Sequence, residues 1–207
     1  IEADGTVHRF SSNGKCSDLA GWYCLHLDGV PAGSFGDWRQ GFTSNWCSKS
    51  DQDMTEAERE ANRQRVRQMQ AQRETERQRQ QQEAQQAARN WWKEATLCTV
   101  HPYLTRKGVQ GYRVRESADM LLVPLRDSTG TLHSLQTIDA EGNKRFQSGG
   151  RVAGCYCAIG HPEGKRLIIC EGYATGASIH EATGNAVAIA FNAGNLLAVA
   201  KALRATY

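Results

Sequence analysis

Hydrophobic patterning divides the chain into stretches with different periods. Near the C-terminus Leu167, Ile168, Ile169 and Cys170 form an unbroken apolar run that stops at Glu171 and Gly172. A short apolar run bounded by glycine reads as a buried strand and a turn, and residues 173–183 then read as a helix. The pattern repeats at once, with an apolar run at residues 186–191 and a helical one at 193–203. Two strand–helix units in succession predict a parallel pair. They put Glu171 at the C-terminal end of a strand, where open α/β sheets bind ligands. Upstream, residues 120–125 read as a strand, residues 126–131 as a polar hairpin loop around Gly130, and residues 132–138 as its alternating partner. A turn through Asp139 and Gly142 leads into Lys144, Arg145 and Phe146. Gly149, Gly150 and Arg151 come next, and residues 155–160 lead back to the acidic strand.

The middle of the chain has neither period. Residues 55–95 are nearly all Glu, Gln, Arg, Ala and Met, with no Gly or Pro, and Thr55 and Glu58 are spaced as a capping box. Val66 and Met69 are almost the only larger apolar side chains before Trp91, so no heptad seam exists for a coiled coil. The composition predicts one continuous exposed helix from Thr55 to Trp92, roughly 60 Å long at about 1.5 Å per residue. It would be monomeric in its middle, with Trp91 and Trp92 docking onto the C-terminal domain. The N-terminal residues are richer in glycine and aromatics; 6–10, 22–27 and 32–38 read as strands, with a turn at Asp28 and Gly29. The predicted class is α/β (α+β overall). A small aromatic-rich β module spans residues 1–50 and a charged helical spacer spans 53–95. A basic subdomain at 96–165 leads into the opening of a Rossmann-like sheet at 166–207.

Composition narrows the setting. The formal net charge of +3 does not by itself announce a nucleic-acid binder. No apolar run approaches the roughly 18 residues of a membrane span, and there is no signal-peptide pattern. Seven cysteines, scattered singly apart from Cys155 and Cys157, fit a reduced cytoplasmic protein better than a disulfide scaffold. A chain opening at Ile1 and stopping after its second strand–helix unit is expected to be a piece of a longer one.

Candidate chemistry lies in three places. In the first module Phe10, Trp22, Tyr23, Phe35, Trp38, Phe42 and Trp46 are interleaved with Arg9, Lys15 and Arg39. They either fill the core of a small domain or stack on single-stranded nucleic acid, and both can hold on different faces. His8, Cys16, Cys24, His26 and Cys47 are potential zinc ligands, but no Cys-x-x-Cys pair presets two of them, which argues against zinc in this module. In the spacer, Arg63, Arg65, Arg67, Arg73, Arg77 and Arg79 read as a solvated face. In the C-terminal half Glu171 is a strand-end carboxylate, or simply an acid answering a helix dipole. His101 and His133 read as hydrogen-bonded structural residues.

Ile169, Cys170, Glu171, Gly172 and Tyr173, with a helix, Gly184 and then Val187 and Ala188, resemble the opening motif of the TOPRIM domain. The Glu-Gly-Tyr form is similar to bacterial DnaG-like DNA primases rather than topoisomerases. Several upstream segments resemble, in the same order, the basic subdomain that precedes TOPRIM in those enzymes. They are Tyr103 to Val109, Leu122 to Asp127 with Gly130, Lys144 to Ser148, and Cys155 and Tyr156 with Gly160. The whole set is most similar to primases and primase-helicases of plasmids and phages. The resemblance implies template-directed synthesis of short RNA primers by Mg²⁺- (or Mn²⁺-) dependent nucleotidyl transfer. It makes Glu171 the catalytic acid/base or metal partner. Lys144, Arg145 and Arg151, with Arg126, Arg106 and Lys107, become contacts to template or nucleotide phosphates, and Gly149 and Gly150 would let backbone amides approach an anion. The partners implied are single-stranded DNA, ribonucleoside triphosphates and a replicative helicase in cis or in trans, with no membrane. The family's further aspartates have no counterpart before Tyr207, so the piece alone is expected to lack an assembled metal site and activity. Two alternatives remain open: a non-catalytic single-stranded nucleic-acid-binding module, and a TOPRIM nuclease or topoisomerase.

Overall fold

A computed structural model describes residues 1–50, 53–162 and 166–207. The expected boundaries at 50/53 and 165/166 therefore touch residues outside the described set. The chain forms two compact units, Ile1–Arg73 and Glu74–Tyr207. Helix and strand are mixed, as an α/β class requires, and no described helix is long and apolar enough to cross a membrane.

The first unit is an antiparallel meander of β1 (His8–Phe10), β2 (Gly21–His26), β3 (Ala32–Asp37) and β4 (Phe42–Cys47), in that spatial order. Its turns follow local chemistry. The Asp37 carboxylate accepts from the N–H groups of Arg39 and Gln40, and Gly29 and Gly41 supply left-handed turn positions. The register places Phe10, Tyr23, Phe35, Phe42 and Trp46 on one face. All of these except Tyr23 are exposed, so this aromatic face is not a filled core. Cys24 Sγ lies 3.6 Å from His26 Nε2. Among the described residues, the group spaced to share an ion is Glu2, Asp4 and His8.

One helix, α1 (Glu56–Glu94), runs unbroken through the charged segment. Thr55 and Glu58 close the capping box: Thr55 N–H donates to Glu58 Oε2 at 2.9 Å, and Glu58 N–H to Thr55 Oγ1 at 3.2 Å. Exposed pairs such as Arg77–Glu74 and Arg79–Glu76 lie along its surface and stabilise it only slightly. Its last turns are different. Ala84 and Ala88 are buried, and Trp91 and Trp92 pack with Leu122, Leu132 and Leu135.

That sheet is antiparallel and five-stranded: β5 (Thr96–Leu97), β6 (Arg115–Ser117), β7 (Met120–Arg126), β8 (Leu132–Ile138) and β9 (Lys144–Phe146), in sequential order. A short helix, α2 (Pro102–Lys107), follows β5. His101 caps it, Nδ1 accepting from Tyr103 N–H while Nε2 lies 3.1 Å from the Asp119 carbonyl. His133 is held between Asp127 and Gln85. Both histidines are thus structurally engaged.

A second sheet has the order β10 (Cys157–Ile159), β12 (Ala186–Ile189), β11 (Leu167–Cys170). β11 and β12 are parallel and β10 antiparallel. Between the parallel strands runs α3 (Tyr173–Thr183), and α4 (Leu196–Thr206) follows β12. Tyr173 and Ala177 of α3 join the core shared with the five-stranded sheet, whereas Val199 and Leu203 of α4 pack on Ala188 and Ala190 of the opposite face. This is the opening of a doubly wound sheet. Two backbone hydrogen bonds between Arg126 and Tyr156, 3.0 and 2.8 Å, tie the sheets together.

The crossover depends on a glycine inside a helix. A Cβ at Gly176 would lie 2.7 Å from Ile189 Cγ1 and 3.1 Å from Cys170 Sγ, so α3 sits on the strands at a distance only hydrogen permits. Gly→Ala within an exposed helix raises stability by about 1 kcal/mol. Here Gly176→Ala should lower it by about 1–3 kcal/mol through overpacking. Urea unfolding of the variant measures this, and an unchanged or higher midpoint would contradict the packing.

Candidate functional site at the end of the parallel strands

Glu171 follows β11 directly and is exposed at the C-terminal edge of the parallel pair. Its position is set from behind by the next side chain but one. Tyr173 is buried, and its hydroxyl accepts from Tyr112 N–H at 2.6 Å and donates to the Tyr112 carbonyl at 2.9 Å. Burial pushes its phenol pKa well above the ordinary value, so the ring remains a neutral anchor. Gly172 caps α3 with extended backbone and no side-chain hydrogen bond. The first turn therefore directs peptide N–H groups, and the positive end of the helix dipole, toward the same edge.

Opposite this turn lies β9. Its register pairs Lys144 with Ile138, Arg145 with Thr137 and Phe146 with Gln136. Side chains alternate along a strand, so Lys144 and Phe146 share the face that carries the buried Ile138, and Arg145 takes the other. The contacts agree. Lys144 Nζ lies 5.8 Å from the centre of the Tyr103 ring, and a methyl carbon placed on Gly172 would be 3.9 Å from it. Phe146 meets Phe191 edge to face, ring centres 6.0 Å apart. The structure thus brings an acid, a cation and the start of an uncapped helix to one edge.

The remaining basic candidates separate. Arg106 Nη1 donates to the Ala140 carbonyl at 2.8 Å, steadying the turn that presents Lys144. Lys107 ends α2 and is exposed. Arg151 Nε donates to the Ala153 carbonyl at 3.1 Å in the loop after β9. Arg126 stands at the other end of its sheet: β7 pairs Leu121 with Ile138, the partner of Lys144, and Arg126 lies five residues further, about 17 Å along the strand. Its guanidinium lies over Trp92, 5.7 Å from the ring centre, and donates to the Gly130 carbonyl at 2.9 Å. Burial pulls its pKa down, and Arg113 and Arg115 nearby act in the same sense. The glycines after β9 serve packing. Gly150 N–H donates to the Gln147 carbonyl, and a Cβ at Gly150 would fall 2.0 Å from Ser134 Oγ.

The pattern of apolar runs did not reveal two further features. Phe191, immediately after β12, adopts φ +71, a left-handed conformation that costs a non-glycine residue roughly 1–2 kcal/mol. Asn195 is buried and binds three backbone groups: Nδ2 donates to the Cys155 and Ala190 carbonyls, and Oδ1 accepts from Gly154 N–H. It clamps the end of β12 to the segment that enters β10. Asn192 and Asn195, three residues apart ahead of a helical run, were a legible capping signal: Asn192 Oδ1 accepts from Asn195 N–H.

As for metal, Glu171 is one carboxylate. No group of three closely spaced acidic, histidine or cysteine ligands includes it among the described residues. A strongly hydrated divalent ion needs more protein or phosphate oxygens than that. The residues at hand do not by themselves make a Mg²⁺ site.

The separation of the cations yields a paired test. Lys144→Ala should weaken single-stranded DNA binding and flatten the plot of log affinity against log salt by about 0.7 for each phosphate no longer neutralised, with little change in stability. Arg126→Ala should leave that slope alone and lower stability by about 0.5–2 kcal/mol, because one of the two guanidiniums over Trp92, those of Arg115 and Arg126, is then lost. Salt titrations and denaturation of both variants measure this, and the reverse pairing would contradict the placement.

No family model matches the chain, and no solved structure matches it. Curated proteins do, among them two called DNA primase TraC, from Escherichia coli. One is 34% identical over 212 residues, covering 99% of this chain and 20% of that protein. The other is 35% identical over 216 residues, covering 99% of this chain and 15% of that protein. The chain spans a fifth or less of the length of the curated relatives it matches, and the match takes in 99% of this chain.

Proposed function

We propose that this chain is part of a plasmid-type DNA primase, and that the edge bearing Glu171 and Lys144 belongs to its nucleotidyl-transfer site. The observation that carries this is the convergence of Glu171, Gly172 and Lys144 at the ligand-binding end of a parallel sheet, in a chain that matches part of two proteins called primases over 99% of its own length. The reaction would be attack of a 3′-hydroxyl on the α-phosphorus of a ribonucleoside triphosphate. A new phosphorus–oxygen bond forms as the bond to pyrophosphate breaks, on a single-stranded DNA template. Such chemistry is carried by positioning and charge stabilisation rather than by a covalent protein intermediate.

On this reading Lys144 holds phosphate charge, aided by the N–H groups at the start of α3. Glu171 supplies the carboxylate, as proton acceptor or as one ligand of a Mg²⁺ or Mn²⁺ site completed by other carboxylates. Its TOPRIM assignment is part of the same proposal. The chain alone, offering one carboxylate at this edge, should bind Mg²⁺ weakly there and make no primers.

In the longer protein, Glu171→Gln should abolish primer synthesis, a loss of at least about a hundredfold for a general base or metal ligand. DNA binding and unfolding midpoint should stay close to the parent. The amide keeps the shape and loses the charge. Incorporation of labelled ribonucleotide on a single-stranded template reads this out, and near-normal synthesis by the variant would turn the module into a binder of nucleic acid without catalysis.

A further inference from the structure

We infer that Phe146 is a stacking platform for a nucleobase, so that β9 grips one nucleotide by its base on Phe146 and by its phosphate on Lys144. The inference rests on the reading of this edge as a nucleotide site and assigns a recognition role to a residue outside the acid and the cations.

Phe146 is 39% exposed and shares its strand face with the exposed Lys144. Phe191, itself only 8% exposed, packs against the Phe146 ring in a T-shaped arrangement with an interplanar angle of 72°. The buttress is costly, because Phe191 reaches it from a left-handed backbone conformation. Asn195 makes that conformation tenable by binding the Ala190 carbonyl just before it, while Asn192 caps the turn just after. A strained, clamped aromatic that holds an exposed aromatic upright is more than filling requires, since an aliphatic residue in relaxed backbone would cover the same core.

Spacing supplies the second argument. Lys144 and Phe146 are two residues apart on one strand face, roughly 7 Å. A nucleotide spans that distance between its phosphate and its base. The cation is at the Glu171–Gly172 end and the ring beside it, so the phosphate would face the carboxylate edge and the base would point away from it. Stacking accepts every base, which suits a site that must take all four nucleotides. The base could belong to an incoming triphosphate or to the template strand; the shared chemistry is a nucleobase with an attached phosphate.

The test is equilibrium binding to the 207-residue chain of three probes: ATP, inorganic tripolyphosphate and a short oligothymidylate. Phe146→Leu keeps apolar packing on Phe191 but removes the π face, and Phe146→Trp restores one. Phe146→Leu should lose about tenfold in affinity for a base-bearing probe, the equivalent of about 1.4 kcal/mol and within the range for one stacked base. Tripolyphosphate binding should be unchanged, and Phe146→Trp should bind as the parent does. Selective loss of ATP assigns the platform to the incoming nucleotide, and selective loss of oligothymidylate assigns it to the template; either supports the inference. Equal losses for tripolyphosphate and the base-bearing probes, or no loss at all, overturn it, and binding of tripolyphosphate by the parent chain still stands for a phosphate site. A parent chain that binds none of the three probes overturns the nucleotide-site reading, and the platform with it.

Discussion

The buried hydroxyl of Tyr173 holds the arrangement together. It exchanges two hydrogen bonds with the backbone of Tyr112, so the first turn of α3 is fixed to a segment 61 residues earlier in the chain. Because Tyr173 follows Glu171 and Gly172 directly, whatever fixes the tyrosine fixes where the acid emerges. The close seat of Gly176 on Ile189 supplies the second constraint, setting the height of the same helix above its strands. Together they make the strand-end turn a rigid feature of a packed core.

Against that rigid turn, alternation along one short strand sorts the chemistry. In β9 the inner positions are Lys144 and Phe146, facing the turn and Phe191, and the outer position is Arg145. Two adjacent basic residues that look like one cluster in the sequence are therefore not one surface. Arg126 shows the same principle at longer range. Its charge is invested in Trp92 and in a loop carbonyl at the far end of the sheet, where it helps seat the last turns of α1. Basic residues close in sequence or shared by a motif need not converge.

Much of this was legible beforehand, for physical reasons that can be named. The continuous apolar run at 167–170 and the acid at its end read as a buried parallel strand; the strand is parallel, but it lies at the edge of its sheet and its residues are only half-buried. The long helix was legible because nothing in it could break it and its capping box stood in plain sequence; the structure shows both. The docking role of Trp91 and Trp92 came from their being the first large apolar pair after that stretch. What could not be read was anything set by register. The split of Lys144 from Arg145 depends on which face of β9 turns inward, and a shift by one residue would reverse it. The use of Gly150 to let the loop lie on Ser134, rather than to cradle an anion, depends on a contact across the sheet. Among the aromatics of the first unit, a core role was favoured over a stacking role from spacing; the register leaves most of that face exposed. The clamp formed by Asn195 has no linear signature beyond its capping position.

The central claim is that Lys144 is the cation beside phosphate at the Glu171 edge. An acyl-phosphate derivative of ATP tests it most directly, because such a reagent transfers its acyl group to the lysine lying against its phosphates. After brief labelling and proteolysis, mass spectrometry should find the acyl group on Lys144, with labelling suppressed by excess ATP and reduced in a Gly172→Val variant that crowds the turn. Labelling spread over Lys107, Lys144 and Lys201 without competition by ATP, or concentrated on a lysine of the first unit, would contradict the account.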